Sequence, residues 1–324
     1  MEEKSAPLVT IAVITYNSGE FVVETLESIK RQTYPNIELI VSDDGSKDDT
    51  VIKCQKWLSG NGTRFVRTLV IQGENGGVAV NTNRALKAAN GEWFKDLSGD
   101  DILPDDAVER HVSFINKNPQ VNYFFGKEVF FYGDFNDGKF EPQQMLFRYV
   151  FFGDKVSARR QFRLLTRQFF GAPAATMGRV ATLKEIGGYN ESIPMTEDGP
   201  LYLAMTKAGN KLYYFDEYVV YRRIHSNSYC HIVNDNAILS AAEVRNYERY
   251  SFWDLQAENS SLFWRLMFKY SNFLWRKIIE NGNNKKSFKC RFYNFLRRYI
   301  NPFKYNMIVL YVEESVCKLF KKHC

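Results

Sequence analysis

The chain has 324 residues, 45% of them hydrophobic and 25% charged, the balance of one large or two smaller globular domains and not of a disordered protein. Its formal charge of +6 hides an asymmetry: residues 260–324 carry 14 Lys and Arg against 3 Asp and Glu, and the rest carries 29 against 34. Five cysteines with no CxxC pair and no regular spacing argue against a zinc ribbon, a redox dithiol or a disulfide scaffold and fit a reducing compartment. In chain order, the N-terminus is acidic before a short apolar run, with no small-residue cleavage site after it. The apolar stretch Met307–Val312 is far short of the roughly 20 residues of a membrane-spanning helix. The expectation is a cytoplasmic protein without a membrane span.

Residues 8–97 alternate strand and helix signals. Leu8–Ile14 is a continuous apolar run of strand length, closed by a polar cluster at 15–19. Val22, Leu26 and Ile29 then repeat with the spacing of a helix face. Ile37–Val41 predicts a second buried strand, closed by residues 42–46, with Ser46 a candidate helix cap. Phe65–Ile71 predicts a third strand, the loop Gln72–Gly77 and a helix over Val78–Ala89 follow, and Glu92–Leu97 predicts a fourth strand ending at Ser98-Gly99-Asp100-Asp101. This order implies parallel βαβ units in an open, doubly wound sheet. Ligands of such sheets bind outside the carboxyl ends of the strands, where all four polar clusters fall. Beyond Pro104, strands are expected at Val121–Phe125, Val129–Tyr132, Leu212–Phe215 and Tyr218–Ile224. Helices are expected within Phe147–Phe170, at Val180–Ile186, at Glu197–Ala208 and from about Asn236 onward.

Several of these residues carry chemistry. Asp43-Asp44-Gly45-Ser46 reads either as a turn or as a strand-end contact to a nucleotide base or ribose. Asp100 and Asp101 are adjacent carboxylates, which repel unless a cation lies near; they cap a helix or bind a hard divalent ion together with diphosphate oxygens. Glu197-Asp198 suits a helix N-terminus on dipole grounds alone. Asp96, inside the fourth strand, is assigned a structural role. Arg222 and Arg223 lie beside His225, and arginines suit phosphate. Phe170–Ala175, small residues before a Gly-Gly element, could line an acceptor side or serve as a packing turn.

The pieces, in this order, resemble the family 2 glycosyltransferases of the GT-A fold, of the bacterial surface-polysaccharide type. The motifs are Thr15-Tyr16-Asn17, Gln32-Thr33-Tyr34-Pro35-Asn36, Asp43–Thr50, Asn75-Gly76-Gly77 with Asn81 and Asn83, Gly91-Glu92-Trp93, Asp100-Asp101, Gly187-Gly188-Tyr189-Asn190, Thr196-Glu197-Asp198 and Tyr221-Arg222 with His225. The resemblance implies a Rossmann-like, mostly parallel sheet with flanking helices over residues 1–235, its nucleotide half about 8–105 and its acceptor half about 106–235. A helical region over 236–324 follows.

It further implies nucleotide binding by Thr15, Tyr16, Asn17, Asp44, Asn75, Asn83, Asp100 and Arg222, with Tyr16 on the base face and Asp44 accepting an imide N–H. A UDP-sugar is the implied donor. Asp101 is the implied main ligand of a Mn or Mg ion, with His225 as an extra contact and Asp198 as general base. The metal motif reads Ser-Gly-Asp-Asp where the family has Asp-x-Asp. The implied reaction is inverting transfer to a hydroxyl of a glycan or lipid-linked acceptor, in O-antigen, capsule or exopolysaccharide synthesis. A nucleotidyltransferase would need a Gly-rich phosphate loop near the N-terminus, which 15–19 is not. A sugar-nucleotide-binding module without turnover would have lost one of Asp44, Asp101 or Asp198, and all three are present. No nucleic-acid motif accompanies the basic tail. Its interleaved aromatics are those of an anchor on an anionic membrane surface or of helices that pack on the body or a second subunit.

Overall fold

The computed structural model describes residues 6–136, 138–143, 147–167, 173–193, 197–225, 239, 256–280, 282–300 and 302–320. The chain forms two compact units, one of residues 1–145 and 171–223, the other of residues 146–170 and 224–320 and beyond.

The first unit is built on an eight-stranded sheet. β1 (Val9–Thr15) and β2 (Ile37–Asp43) are the continuous apolar runs, and all but one of their residues are buried. β1 pairs in parallel with β2 on one side and with β4 (Trp93–Ser98) on the other, and β2 pairs in parallel with β3 (Arg67–Gln72). β5 (Tyr123–Tyr132), β6 (Lys139–Pro142) and β7 (Thr176–Arg179) extend the sheet in antiparallel fashion in the order β3-β2-β1-β4-β7-β5-β6, and β8 (Leu212–Ile224) pairs with β5. The chain order reverses between β1 and β4. Side connections there leave in opposite directions, which opens a crevice beyond the carboxyl ends of the two strands. Ile14 pairs with Ser98 at that crevice.

The helices α1 (Val22–Lys30), α2 (Thr50–Asn61), α3 (Val78–Ala88) and α4 (Ala107–Lys117) connect or follow these strands. Val22, Leu26 and Ile29 of α1 are fully buried, as their spacing requires, and Val108, Val112 and Ile115 of α4 join the same apolar cluster. Ser46 does not cap α2, which starts later, at Thr50. Its hydroxyl donates instead to Asp43 Oδ2 at 2.5 Å and accepts the Asn17 N–H at 2.8 Å. Two strand pairs expected from the sequence are single long strands. β5 runs through Gly126-Lys127-Glu128 and β8 through Asp216-Glu217. The short helices α7 (Val180–Glu185) and α8 (Asp198–Lys207) complete this unit.

Glu38 on β2 holds the sheet's other end. It is wholly buried and accepts from Thr10 Oγ1 at 2.5 Å, Arg67 Nη1 at 2.6 Å and the Asn90 N–H at 2.9 Å. Glu38→Ala strands three donors, one of them a half-exposed guanidinium. The expected loss is about 3 kcal/mol of stability, read as a lower urea midpoint at unchanged m-value.

The second unit is helical. It contains α5 (Arg148–Phe152), α6 (Ala158–Leu165), α9 (Leu262–Ile278), α10 (Phe288–Tyr299) and α11 (Pro302–Phe320). Glu314 of α11 is buried and accepts the N–H groups of Tyr149 and Val150 at 2.9 Å each. A carboxylate thus meets the unpaired donors at the start of α5. The sequence reading placed residues 146–170 in the first domain and drew the boundary near 235; here that segment groups with the C-terminal helices instead. Trp275 and Ile278 pack with Leu239 and Tyr293, and Cys290 is buried between the carbonyls of Ile278 and Gly282. Cys54 and Cys290 are free. Cys317 is disulfide-bonded, which differs from the reduced state that the scattered cysteines suggest. Among the described residues no helix is long and apolar enough to cross a membrane.

Candidate active site

The ends of β1, β2 and β4 build the crevice, and β2 and β4 each supply a carboxylate by a different local device. At the end of β2 the two aspartates divide the work. Asp43 is turned inward, where its carboxylate accepts the N–H groups of Gly45 and Ser46 at 3.1 and 2.9 Å and the Thr15 hydroxyl at 2.9 Å. Gly45 has φ +77°, a conformation that favours a residue without Cβ, and the turn it makes aims Asp44 at the opposite wall. Asp44 Oδ1 and Oδ2 accept the Gly76 and Gly77 N–H groups at 3.0 and 2.8 Å. Each oxygen keeps a further lone pair for a ligand. Behind them, buried Asn81 donates to the carbonyls of Ser42 and Thr15 and accepts the Ser42 hydroxyl at 2.6 Å, tying α3 to β1 and β2.

At the end of β4 the chain turns through Gly99. A Cβ there would meet the Thr15 and Ser18 side chains at 2.8 and 3.1 Å, so the close approach of this loop to β1 requires glycine. Asp101 follows, 3% exposed, with Oδ1 accepting the Arg223 N–H at 3.0 Å. Arg223 locks the loop from beneath. Its Nε donates to the Asp100 carbonyl at 3.0 Å, its guanidinium lies between the rings of Phe21 and Phe131 at 4.6 and 4.5 Å, and it pairs with Glu24. Burial pushes the Asp101 carboxyl well above the usual carboxylate range, with the charge of Asp100 adding to the effect and Arg222 opposing it.

These elements enclose a cavity of about 190 Å3 whose wall includes Tyr16, Asp44, Asp96, Asp101, Glu197 and Arg222. Tyr16 is 51% exposed at its mouth, an apolar ring available for stacking. Asp96 is the strand residue to which the sequence assigns a structural role. It belongs to the cavity wall, and burial raises its carboxyl. Its neighbour Lys95 is fully buried and donates to the carbonyls of Asp96 and Ala174 at 2.8 and 2.5 Å; burial lowers its ammonium. Glu128, also buried, accepts the Ala174 N–H at 3.0 Å and lies 3.5 Å from Arg222 Nη1. Two charges inside strands, Lys95 and Glu128, therefore fix the Pro173–Ala175 turn and the Arg222 side chain. Their signal in the sequence was a charge at a position an apolar strand would fill.

The expected nucleotide contacts divide. Tyr16, Asp44 and Arg222 meet at the cavity, and Asp100, next to Asp101 in the chain, is not in its wall. Thr15 is in the wall, with its hydroxyl turned to Asp43. Asn17 is a loop staple: its φ is +51°, its N–H donates to Ser46 Oγ and its Oδ1 accepts the Lys47 N–H at 2.8 Å. Asn75 is exposed on the 73–77 loop and is not in the cavity wall. Asn83 is a correction of substance. It is buried, donates to Tyr189 O and Glu191 Oε1 and accepts the Tyr189 N–H, each at 2.8 Å. All its polar atoms join α3 to the 187–191 loop, where Gly187 and Gly188 take φ +89° and +74°.

Asp198 opens α8 and accepts the Gly199 N–H at 2.8 Å. Glu197 is in the cavity wall and Asp198 stands just behind it, close enough for its charge to help raise Asp96, Tyr123 and Tyr202 after the larger effect of burial. His225 follows β8 and belongs to the second unit. Of the small-residue stretch before the Gly-Gly element, 170–172 lie outside the described residues. Among the described residues, no three or more His, Cys, Asp or Glu side chains are gathered as a metal cage.

Comparison with known proteins agrees with this geometry. The family described as Glycosyl transferase family 2 matches residues 10–187. An uncharacterized glycosyltransferase of Rickettsia felis is 29% identical over 226 residues, covering 68% of this chain and 35% of that protein. Chondroitin synthase of Escherichia coli is 27% identical over 212 residues, covering 64% of this chain and 27% of the synthase. The chain spans between 30% and 65% of the length of the rickettsial relatives it matches. Among solved structures, S. aureus TarS 1–349 in complex with UDP-GlcNAc superposes with a TM-score of 0.58 at 18% identity, covering 98% of this chain and 93% of that one. The mannosyltransferase PcManGT from Pyrobaculum calidifontis, in complex with GDP-Man and Mn2+, gives 0.56 at 17% identity, covering 99% and 89%. With a mostly parallel sheet reversing at β1 and β4, these likenesses define the fold as GT-A, and the chain belongs to the family 2 glycosyltransferases.

Proposed function

We propose that this enzyme transfers a sugar from a UDP-sugar to a hydroxyl of a glycan or lipid-linked oligosaccharide, with inversion at the anomeric carbon, in the synthesis of a surface polysaccharide. The observation that carries the proposal is the meeting of Tyr16, Asp44 and Asp101 on one cavity beyond β1, β2 and β4. Tyr16 stacks on the base, and Asp44 accepts the uracil imide N–H with the lone pairs its loop contacts leave over. Cytosine, whose ring N3 carries no proton, offers Asp44 no such donor. The UDP-GlcNAc complex of TarS supports the choice of uracil.

The donor set fits a divalent ion on the chemistry of its oxygens. Asp101 is in the cavity wall and Asp100 precedes it in the chain, and carboxylate oxygens are the hard donors that suit Mn2+ or Mg2+. Asp101 and Asp100 would hold the ion through their carboxylate oxygens and would leave its remaining positions to the donor's phosphates. The Mn2+ of the PcManGT complex supports this reading. When bound, the ion spreads the charge of the departing diphosphate. Arg222, held by Glu128, adds a fixed positive charge beside that leaving group. Glu197 accepts from hydroxyls of the donor sugar. Asp198 takes the proton of the acceptor hydroxyl as its oxygen attacks the anomeric carbon from the face opposite the leaving diphosphate. One C–O bond forms, one breaks, and the configuration inverts.

In calorimetric titration with Mn2+ present, UDP is expected to bind at least about tenfold more tightly than CDP, the worth of one well-made charged hydrogen bond from the imide N–H to Asp44. Equal affinities for the two nucleotides would remove Asp44 from base selection.

A further inference from the structure

Exposed large apolar side chains are unevenly distributed. Of 21 among the described residues, 14 lie between Leu262 and Val316 in the second unit. The densest set is on α10. Phe288, Phe292, Phe295 and Tyr299 are 89%, 51%, 53% and 56% exposed, and their spacing of four, three and four residues puts them on one helix face. The opposite face is the one that packs: Cys290 is buried and Tyr293 joins the Trp275 cluster. On a helix made only to pack, the large aromatics would face inward; here they face out. Lys289, Arg291 and Arg298 are exposed on the flanks of the stripe. Over residues 261–300 the chain has ten Lys and Arg and one acidic residue.

We propose that this outer face of α10 docks on an anionic lipid bilayer, its aromatic stripe entering the headgroup–acyl boundary and its flanking basic side chains meeting lipid phosphates. Charge selects this occupant. A second copy docked symmetrically would lay a segment of net charge +9 against itself. A neutral apolar partner would leave the basic flanks without counter-charge. An anionic membrane surface offers apolar depth and negative charge together, the two terms that bind interfacial helices. The crevice belongs to the first unit and α10 to the second, so the docking surface and the donor reading fail independently.

The test is co-sedimentation of the full chain with vesicles of equal parts phosphatidylglycerol and phosphatidylcholine, and with vesicles of phosphatidylcholine alone. Binding is expected to the mixed vesicles, to weaken with added salt and to be slight on the neutral ones. Lys289→Gln with Arg291→Gln is expected to weaken it about thirtyfold, and Phe292→Ser with Phe295→Ser at least about tenfold. All four positions are exposed, so both variants are expected to keep the parent's circular dichroism and UDP affinity. The proposal is overturned by absence of binding to the mixed vesicles, by equal binding to both kinds, or by binding that survives both double substitutions. A dimer in sedimentation velocity that Phe292→Ser with Phe295→Ser dissociates would also overturn it, making the stripe a self-interface.

Discussion

Asp198→Asn is expected to lower transfer by about three orders of magnitude, the range of a lost general base, while Mn2+-dependent UDP affinity stays at the parent's value. The separation follows from position. Asp198 opens α8 behind Glu197 and is not in the wall formed by Tyr16, Asp44 and Asp101, so its removal leaves the nucleotide contacts standing. Asparagine keeps the oxygen that accepts the Gly199 N–H and cannot take a proton. UDP release at saturating donor and titration of UDP read the two halves of this expectation. A variant that loses both, with unchanged stability, would show that Asp198 binds the donor and leaves the base elsewhere.

Asp101→Asn should act at the other end of the reaction and in two opposite directions. Loss of the ligand charge is expected to weaken Mn2+-dependent UDP binding by at least about a hundredfold, with a matching loss of transfer. Stability should move the other way. Burial holds the Asp101 carboxyl well above its ordinary range, so the folded chain binds this proton more tightly than the unfolded one. The corresponding stability is full in acid and is lost as pH rises through the folded value. Asparagine does not titrate and retains an acceptor for the Arg223 N–H. The metal-free variant is therefore expected to exceed the parent by about 1 kcal/mol at neutral pH and to match it more closely in acid. Urea denaturation at the two pH values measures the difference. A less stable variant would mean that Arg222 and Arg223 more than offset the cost of burying the carboxylate.

The sequence announced the sheet because buried parallel strands are written as unbroken apolar runs, and Val9–Thr15 and Ile37–Asp43 are such runs. It also announced the crevice, since turn residues and carboxylates gather where those strands stop. It could not say which of two adjacent aspartates faces the ligand. Asp43 and Asp44 are the same residue type, and only the turn at Gly45 sends one inward and the other to the wall. Asn17 and Asn83 sit in motifs expected to border a nucleotide, yet their side chains bond other loops. β5 and β8 looked broken because Lys127, Glu128, Asp216 and Glu217 interrupt the apolar pattern. Glu128 is there to be buried, holding Arg222 and the 173–175 turn. Lys95 and Asp96 are the same kind of exception. The grouping of residues 146–170 with the C-terminal helices rests on Glu314, a partner more than 160 residues away, and local pattern carries no trace of it.

The proposed reaction is a single displacement on a UDP-sugar at the Asp44–Asp101 crevice. The most direct test is a proton NMR time course of UDP-α-sugars with Mn2+ and a lipid-linked oligosaccharide acceptor. Free UDP is expected to appear together with a β-linked product. An α-linked product, or tight UDP binding with no release from any donor, would contradict it.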